Sequence, residues 1–175
     1  DYAFLMMDLK VRGAANLASG FLNRYLELTG DYRGACLLPI YEVYRCLVRA
    51  KILSIKLRES GASETAESDR SAMERYCDLA SALTRRQHPV LVAMTGFSGS
   101  GKSWLSRRLA PDLEAIRLRS DLERKKLAGL GPTADSQSGI ESGIYDRATT
   151  AIVYDRLLET AGELLRAGLN VIVDA

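Results

Sequence analysis

The sequence predicts a mixed fold, in which an all-α N-terminal half (1–86) is followed by an α/β P-loop NTPase domain with a parallel sheet (87–175). Apolar residues of the first half recur at helical spacing. In the second half, short apolar runs suited to buried parallel strands alternate with amphipathic stretches suited to helices. Residues 96–103 read GFSGSGKS, which matches the GxxxxGK[ST] spacing of a phosphate-binding loop, or P-loop.

The first half is predicted to consist of helices joined by short connections. Leu17 and Phe21 begin a run of apolar residues at helical spacing, and Gly30 ends that helix. Residues 31–34 are predicted to form a turn, and the polar stretch 59–68 a loop. Predicted helices occupy residues 14–29, 39–58 and 69–85, after an apolar run at 3–7.

The second half is predicted to alternate strands and helices, which implies a parallel sheet with crossover connections. Pro111 is expected to end the helix that follows the P-loop. The stretch 129–143 is rich in Gly and Ser, and we expect an exposed, mobile excursion there. Predicted strands lie at 90–94, 115–118 and 171–173, and predicted helices at 104–109, from 121 onward and at 145–167.

The P-loop is predicted to bind ATP or GTP with Mg²⁺, ATP being the ligand we favour. Glycines let successive N–H groups converge on the phosphates, the Lys102 ammonium neutralises the outer phosphates, and the Ser103 hydroxyl ligates the metal. A flexible linker is disfavoured because an apolar strand precedes the loop. For the Trp104 ring, packing is favoured over adenine stacking. The predicted nucleotide-binding residues are Gly96, Ser98, Gly99, Ser100, Gly101, Lys102, Ser103 and Trp104.

Asp121 and Arg124 are candidates for work on a phosphoryl acceptor. Asp121 follows a predicted strand and begins a helix, with Arg124 one turn later on the same face. Ligands of open parallel sheets bind outside the carboxyl ends of the strands. A carboxylate there can accept a proton from a hydroxyl, and a guanidinium can hold a phosphate or the acceptor. Spacing alone leaves open the alternative that Ser120 or Asp121 only caps the helix.

Asp174 is a candidate magnesium-orienting residue because it ends the apolar run VIV. An Asp at the end of a buried strand is also a common turn starter. The next residue is Ala175 and not Glu, which hydrolytic ATPases place there to activate water, so transfer to a bound acceptor is favoured over hydrolysis.

Basic residues are concentrated around Asp121 and could steer an anionic acceptor. For Lys125 and Lys126 a solvated helix face is the favoured interpretation. The basic residues of this segment are Arg117, Arg119, Arg124, Lys125 and Lys126.

Composition restricts the partners and the compartment. The chain has 24 basic and 22 acidic residues, so its net charge of +2 argues against nucleic-acid binding by bulk charge. Three widely spaced cysteines indicate neither a disulfide framework nor a zinc site, which favours the cytoplasm. The apolar runs are too short to predict a membrane span. Because both ends look cut, we expect an internal piece of a longer protein, catalytically incomplete by itself.

These motifs resemble a bacterial tandem often labelled bifunctional aminoglycoside phosphotransferase/ATP-binding protein. In the first half AFLMMDL, FLNRYLELTGDYRGACLLPIYEVYRCLVRAK and RYCDLA resemble the last helices of an aminoglycoside phosphotransferase-like domain. In the second half GFSGSGKS, IRLRSDLERKKLAGL, GIYDRAT and VIVDA resemble an AAA_33/zeta-toxin-like P-loop kinase domain, related to gluconate kinases, chloramphenicol phosphotransferases and polynucleotide 5′-kinases.

The resemblance implies a kinase that transfers the γ-phosphate of ATP to a hydroxyl of a small molecule or of a polynucleotide 5′ end. Lys102 and Ser103 would serve ATP and Mg²⁺, Asp121 would activate the acceptor, and Arg124 would contact the acceptor or the phosphate. The phosphotransferase-like half lacks that family's catalytic loop and metal-binding Asp, so no aminoglycoside kinase activity is assigned. The alternatives are a nucleotide-responsive binding module without turnover and an ATP-hydrolysing AAA-type protein.

Overall fold

A computed structural model describes residues 2–60, 66–85, 88–97, 99–131 and 147–175. Most of the stretch predicted to be a mobile excursion, 129–143, lies outside these residues. The elements of the described residues are, in order, α1 (Tyr2–Val11), α2 (Ala15–Thr29), α3 (Tyr32–Cys36), α4 (Leu38–Ser60), α5 (Ala66–Thr84), β1 (Leu91–Met94), α6 (Lys102–Asp112), β2 (Ile116–Arg119), α7 (Ser120–Leu127), α8 (Arg147–Arg166) and β3 (Val171–Asp174).

The chain forms two compact units. The helical unit comprises Asp1–Ala18 and Leu37–Arg86, and the sheet unit comprises Ser19–Cys36 and Gln87–Ala175. The segment Ser19–Cys36, which sequence analysis placed with the helical half, packs within the sheet unit.

The helical unit is built on the pairing of α4 with α5, against which α1 packs. Buried side chains of all three helices share one apolar cluster. Two polar contacts accompany it: the Lys10 ammonium lies 3.0 Å from the buried Glu42 carboxylate, and the Tyr76 hydroxyl donates to Asp8 at 3.4 Å. The cluster consists of Met7, Cys46, Ala50, Tyr76 and Ala80.

The sheet unit contains three parallel strands in the order β1-β3-β2. Paired residues of neighbouring strands point to the same face of a sheet. On one face, Ile172 of the central strand packs against Ala110 of α6 and against Ala115. On the other face Leu118 and Val171 are buried, and helix α8 contacts β2 and β3. The parallel sheet predicted from the alternating pattern is confirmed.

Helix α2 is joined to strand β2 by one buried side chain. The Asn23 amide donates to the Ala115 carbonyl at 2.9 Å, and its oxygen accepts the Arg117 backbone N–H at 2.7 Å. The Ser19 hydroxyl donates to the Ala110 carbonyl at 3.4 Å. The Asn23 bonds satisfy backbone groups in β2 and directly before it, and the Ser19 bond satisfies a carbonyl of α6. They explain why Ser19–Cys36 belongs to the sheet unit, which spacing along the chain does not reveal.

Two local predictions are wrong. The turn predicted at 31–34 is the start of helix α3, because the Asp31 carboxylate accepts the Gly34 N–H at 3.0 Å and caps the first turn. Pro111 was expected to end α6, but this helix continues to Asp112 and Pro111 lies within its last turn. A proline there removes a single N–H donor, and α6 ends one residue later, so the cost of continuing the helix is small.

Among the described residues, the structure contains no helix with the length and apolar character needed to cross a bilayer.

We expect Asn23→Ala to lower the free energy of unfolding of the sheet unit by about 2–3 kcal/mol, because a buried N–H and a buried C=O lose their partner. Urea unfolding of the variant measures this. Asn16→Ala, at an exposed position of the same helix, is the matched control and should stay within about 0.5 kcal/mol of the wild type. Equal values for the two variants would show that Asn23 does not secure β2.

We also expect the helical unit to lose stability in alkali. Burial, assisted by the nearby Glu42 charge, raises the pKa of Cys46 from 9.0 to about 11. The folded state thus retains a thiol proton that the unfolded chain releases first, so this contribution is complete below pH 9 and is lost as the pH rises to 11.

Urea unfolding at several pH values between 8 and 11 tests this expectation. The decline in stability with pH should be shallower in Cys46→Ala than in the wild type. Cys77→Ala removes an exposed thiol and should keep the wild-type decline. A Cys46→Ala decline as steep as that of the wild type would contradict the assignment.

Candidate functional site

The carboxyl ends of all three strands lie at one edge of the sheet. Met94, the last residue of β1, pairs with Asp174 of β3, and Asp174 pairs with Arg119, the last residue of β2. The P-loop follows β1, α7 follows β2, and Asp174 itself ends β3. At the usual strand spacing, the outer two strand ends are about 10 Å apart. The predicted site residues therefore lie at one edge.

The P-loop has the backbone that its glycines predict. Gly96, Gly99 and Gly101 have φ values of 143°, 77° and 88°, in a region that favours glycine. A Cβ at Gly96 would lie 3.1 Å from the Ser100 hydroxyl. Gly101 precedes α6 without a side-chain cap, so the first N–H groups of this helix are available to an anion.

Lys102 folds back over this loop. Its ammonium donates to the carbonyl oxygens of Gly96 at 2.7 Å and Phe97 at 3.0 Å. The Ser100 N–H donates to the Phe97 carbonyl at 3.2 Å, which closes the turn. The only side-chain cation of the motif is thus held at the loop, where the outer phosphates of a nucleotide would be neutralised. Ser98, also predicted to bind nucleotide, lies outside the described residues.

Trp104 lies in the first turn of α6 with 68% of its surface exposed. The Arg108 guanidinium lies 5.9 Å from the centre of its ring. The prediction that this ring packs in the core is wrong, because it lies on the solvent side of the helix. Trp104 is the only tryptophan of the chain, so its fluorescence reports on this one place.

Asp174 is buried in a polar network that sequence analysis did not anticipate. Its Oδ2 accepts hydrogen bonds from the Ser106 hydroxyl at 2.9 Å and from the Arg117 guanidinium at 3.2 Å. The Ser103 carbonyl oxygen lies 3.2 Å from the Ser106 hydroxyl oxygen and accepts a hydrogen bond from the same guanidinium at 3.5 Å. Arg117 and Ser106 therefore bring together the two residues predicted to serve the metal, Ser103 and Asp174.

Arg117 is only 4% exposed and does not steer a ligand from the surface, in contrast to the role considered for it. Burial lowers the pKa of the Arg117 guanidinium from its usual value, and the Glu27 carboxylate at 3.3 Å opposes that shift most strongly. The signal that sequence analysis missed is an arginine at the second position of a four-residue buried strand, where a partner of opposite charge is required.

Asp121 and Arg124 both lie on α7, in the first and last turn. Asp121 is 38% exposed, and one of its oxygens is 3.2 Å from the Lys125 ammonium. Lys125 is therefore largely buried beside Asp121, and the prediction of a solvated Lys125 is wrong, whereas Lys126 is exposed. The N-cap residue of α7 is Arg119, and its side chain forms no capping hydrogen bond.

The donor atoms fit a magnesium ion held jointly with phosphate oxygens. A hydroxyl and a carboxylate are hard oxygen ligands, and Mg²⁺ is commonly held by one or two protein oxygens plus phosphates and waters. The two hydrogen bonds to Asp174 both end on Oδ2, so Oδ1 takes part in neither. Within the described residues no group of three or more His, Cys, Asp or Glu side chains could hold a metal alone.

Residues 91–175 match the AAA_33 family, whose description is AAA domain. Nucleotide binding is the property that this match suggests for residues 91–175. The AAA_33 part of the resemblance is confirmed. No solved structure matches the chain significantly.

The chain is similar along its length to three curated mycobacterial proteins. It is 33% identical over 174 residues to the uncharacterized proteins Rv2004c and MT2060 of Mycobacterium tuberculosis and Mb2027c of Mycobacterium bovis. The aligned region covers 99% of this chain and 34% of each relative. The chain thus spans about a third of the length of these relatives, and the alignment includes the helical unit as well as residues 91–175.

We expect Lys102→Ala to abolish tight ATP binding, because the ammonium that would neutralise the outer phosphates is lost. The protein should stay folded, since the Lys102 ammonium donates to carbonyl oxygens of the exposed loop, those of Gly96 and Phe97. Titration of ATP against Trp104 fluorescence measures binding, and circular dichroism measures melting. Lys126→Ala, an exposed lysine of the same unit, should behave like the wild type in both. Gross unfolding of Lys102→Ala would instead make Lys102 a structural residue.

Proposed function

We propose that the AAA_33 domain binds ATP with Mg²⁺ and transfers its γ-phosphate to a hydroxyl acceptor. The observation that carries this proposal is the P-loop itself: three glycines at positive φ, a helix beginning directly after them, and the Lys102 ammonium held at the loop. Backbone N–H groups and one ammonium form the donor set that a triphosphate requires.

In the proposed reaction, the P-loop residues with Trp104 form the ATP site. Ser103 and Asp174 would hold Mg²⁺, which when bound neutralises charge on the phosphate oxygens. Asp121 accepts the proton of the acceptor hydroxyl while the oxygen of that hydroxyl bonds to the γ-phosphorus. The bond between the γ-phosphorus and the β-γ bridging oxygen breaks, and ADP leaves. Arg124, one turn from Asp121, binds the acceptor or the transferred phosphoryl group. Lys102 stabilises the charge on the outer phosphates.

The alignment of strand ends supports these roles. Asp121 begins the helix after β2, the P-loop follows β1, and Asp174 lies on the strand between them. A γ-phosphate at the P-loop and a base at α7 would therefore face the same crevice outside the carboxyl ends of the strands, where open parallel sheets bind ligands. The acceptor we propose is a hydroxyl of a small molecule or of a polynucleotide 5′ end, the two classes that the resemblance implies. The net charge of +2 argues only against nucleic-acid binding by bulk charge.

A second candidate, a nucleotide-responsive binding module without turnover, is favoured by the ion pair between Asp121 and Lys125. The Lys125 ammonium, 3.2 Å from Oδ2 of Asp121, occupies a carboxylate oxygen that an acceptor hydroxyl would otherwise approach. In this alternative, ATP occupancy changes the affinity for a partner and no phosphoryl group is transferred. ATP hydrolysis by an AAA-type protein is the weaker alternative, since Ala175 follows Asp174.

For residues 1–86 we propose the C-terminal helices of an aminoglycoside phosphotransferase-like domain, and for 87–175 the N-terminal part of the kinase domain. The support is the resemblance of the quoted segments and the helical character of the N-terminal unit. The cytoplasm is the compartment we propose, and its support is that Cys36, Cys46 and Cys77 are all free thiols.

We expect Asp121→Asn to lower phosphoryl transfer by about 100-fold or more, since general-base catalysis contributes on that scale. ATP affinity should change by less than about twofold, because Asp121 is not part of the P-loop. Transfer is measured as label from γ-labelled ATP in a mixture of hydroxyl-bearing metabolites and 5′-hydroxyl oligonucleotides.

Asp155→Asn, at an exposed position of α8, is the matched control and should keep the wild-type rate. Unchanged transfer by Asp121→Asn would remove Asp121 from the proposed mechanism. ATP binding without transfer to any acceptor would favour the binding module, and acceptor-independent phosphate release at a rate typical of kinases would favour the ATPase.

A further inference from the structure

Glu27 of helix α2 is the centre of a charged cluster in the sheet unit. Its side chain is 10% exposed, and its Oε1 lies 3.3 Å from the Arg117 guanidinium and 3.8 Å from that of Arg119. Its other oxygen lies 3.7 Å from Arg24, one turn earlier on α2. A carboxylate with three arginines around it at low exposure is held in a defined position.

Arg117 is shared between two carboxylates at opposite ends of its guanidinium. Nη1 contacts Glu27 at 3.3 Å, and Nη2 contacts Asp174 at 3.2 Å. The third donor, Nε, bonds to the Ser106 hydroxyl at 3.2 Å. Because both carboxylates compete for one buried cation, the strength of each contact depends on the presence of the other.

We propose that Glu27 is a positioning residue for the nucleotide site, which acts through Arg117 to leave Asp174 available to a divalent cation. This inference rests on the proposed function of the P-loop. Glu27 lies upstream of residues 91–175, so the AAA_33 match does not include it. The segment Ser19–Cys36 then contributes to the site as well as to the fold of the unit.

The direction of the effect follows from the charges. With Glu27 present, its carboxylate offsets part of the positive charge of the Arg117 guanidinium. The guanidinium therefore offsets less of the negative charge of Asp174, which stays available to a metal ion. With a neutral residue at 27, Asp174 becomes the only carboxylate in contact with Arg117 among the contacts described here. The ion pair tightens, and a cation must then compete with a buried guanidinium for Asp174.

The test compares ATP binding with and without Mg²⁺ in Glu27→Gln, using the whole chain and Trp104 fluorescence. The measured quantity is the factor by which Mg²⁺ tightens ATP binding, the Kd in EDTA divided by the Kd in MgCl₂. We expect Glu27→Gln to reduce this factor by about fivefold, the scale of coupling between contacting charged residues. The Kd in EDTA should change by less than about twofold, because the P-loop amides and Lys102 are unaltered.

Glu163→Gln is the matched control, because it breaks a different ion pair of the same unit, with Arg33 at 3.5 Å. It should leave both Kd values unchanged. A double-mutant cycle tests whether Arg117 transmits the effect: in an Arg117→Met background, Glu27→Gln should change the Mg²⁺ factor by less than about twofold.

Each outcome is decisive. A wild-type Mg²⁺ factor in Glu27→Gln, or an equal effect with and without Arg117, overturns the proposal. Weakening of ATP binding to the same extent in EDTA and in MgCl₂ indicates a structural role and also overturns it. If the wild type itself binds no ATP, the proposed function fails first, and this result is distinguishable because it appears without any substitution.

If Glu27→Gln does not fold, two other comparisons remain. Glu27→Asp retains the charge on a shorter side chain. Arg117→Met, with and without Glu27→Gln, removes the guanidinium through which Glu27 is proposed to act. The proposal is supported if Glu27→Asp has a reduced Mg²⁺ factor and if Arg117→Met has the same Mg²⁺ factor with and without Glu27→Gln. Failure of all these variants to fold, judged by circular dichroism, assigns Glu27 to stability alone and overturns it.

Discussion

The parallel register of the three strands is the constraint on which the candidate site depends. With β3 between β1 and β2, the residue pairs Met94–Asp174 and Asp174–Arg119 place three chain segments at one edge. Because side chains alternate between faces, a shift of β3 by one residue would turn Asp174 away from Ser106 and Arg117. The P-loop, the Asp174 carboxylate and the start of α7 are therefore positioned by backbone pairing before any side chain is considered.

The same face of the sheet carries a buried arginine, and this imposes a second constraint. A guanidinium removed from water is tolerated only with carboxylates and hydrogen-bond acceptors around it. Asp174, Ser106 and the Ser103 carbonyl supply part of that environment, and Glu27 of α2 supplies the rest. The requirement links the geometry of the candidate site to a helix that lies more than sixty positions before the P-loop in the sequence. A buried pair of this kind gives little net stability, so its value lies in fixing one arrangement of the site.

The predictions that succeeded rest on local signals. The P-loop spacing and the apolar strand before it are contiguous, and the structure places β1, the loop and α6 in that order, although α6 extends beyond the predicted 104–109 at both ends. Strands β2 and β3 were also placed to within one residue. The predictions that failed required knowledge of distant partners. Exposure of Trp104, burial of Arg117 and pairing of Lys125 depend on which surface of each helix or strand is covered.

By itself, the sequence determined the alternation of strands and helices in the second half and the P-loop, because period, glycine placement and motif spacing act over a few neighbouring residues. Only the tertiary structure decided that Ser19–Cys36 packs within the sheet unit and that Arg117 is shared between Glu27 and Asp174. Hydrogen bonds and ion pairs between residues about 60 to 90 positions apart leave no periodic trace in a single sequence, since any of several helices could present such partners. Burial selected one of them, and with it the environment of the candidate site.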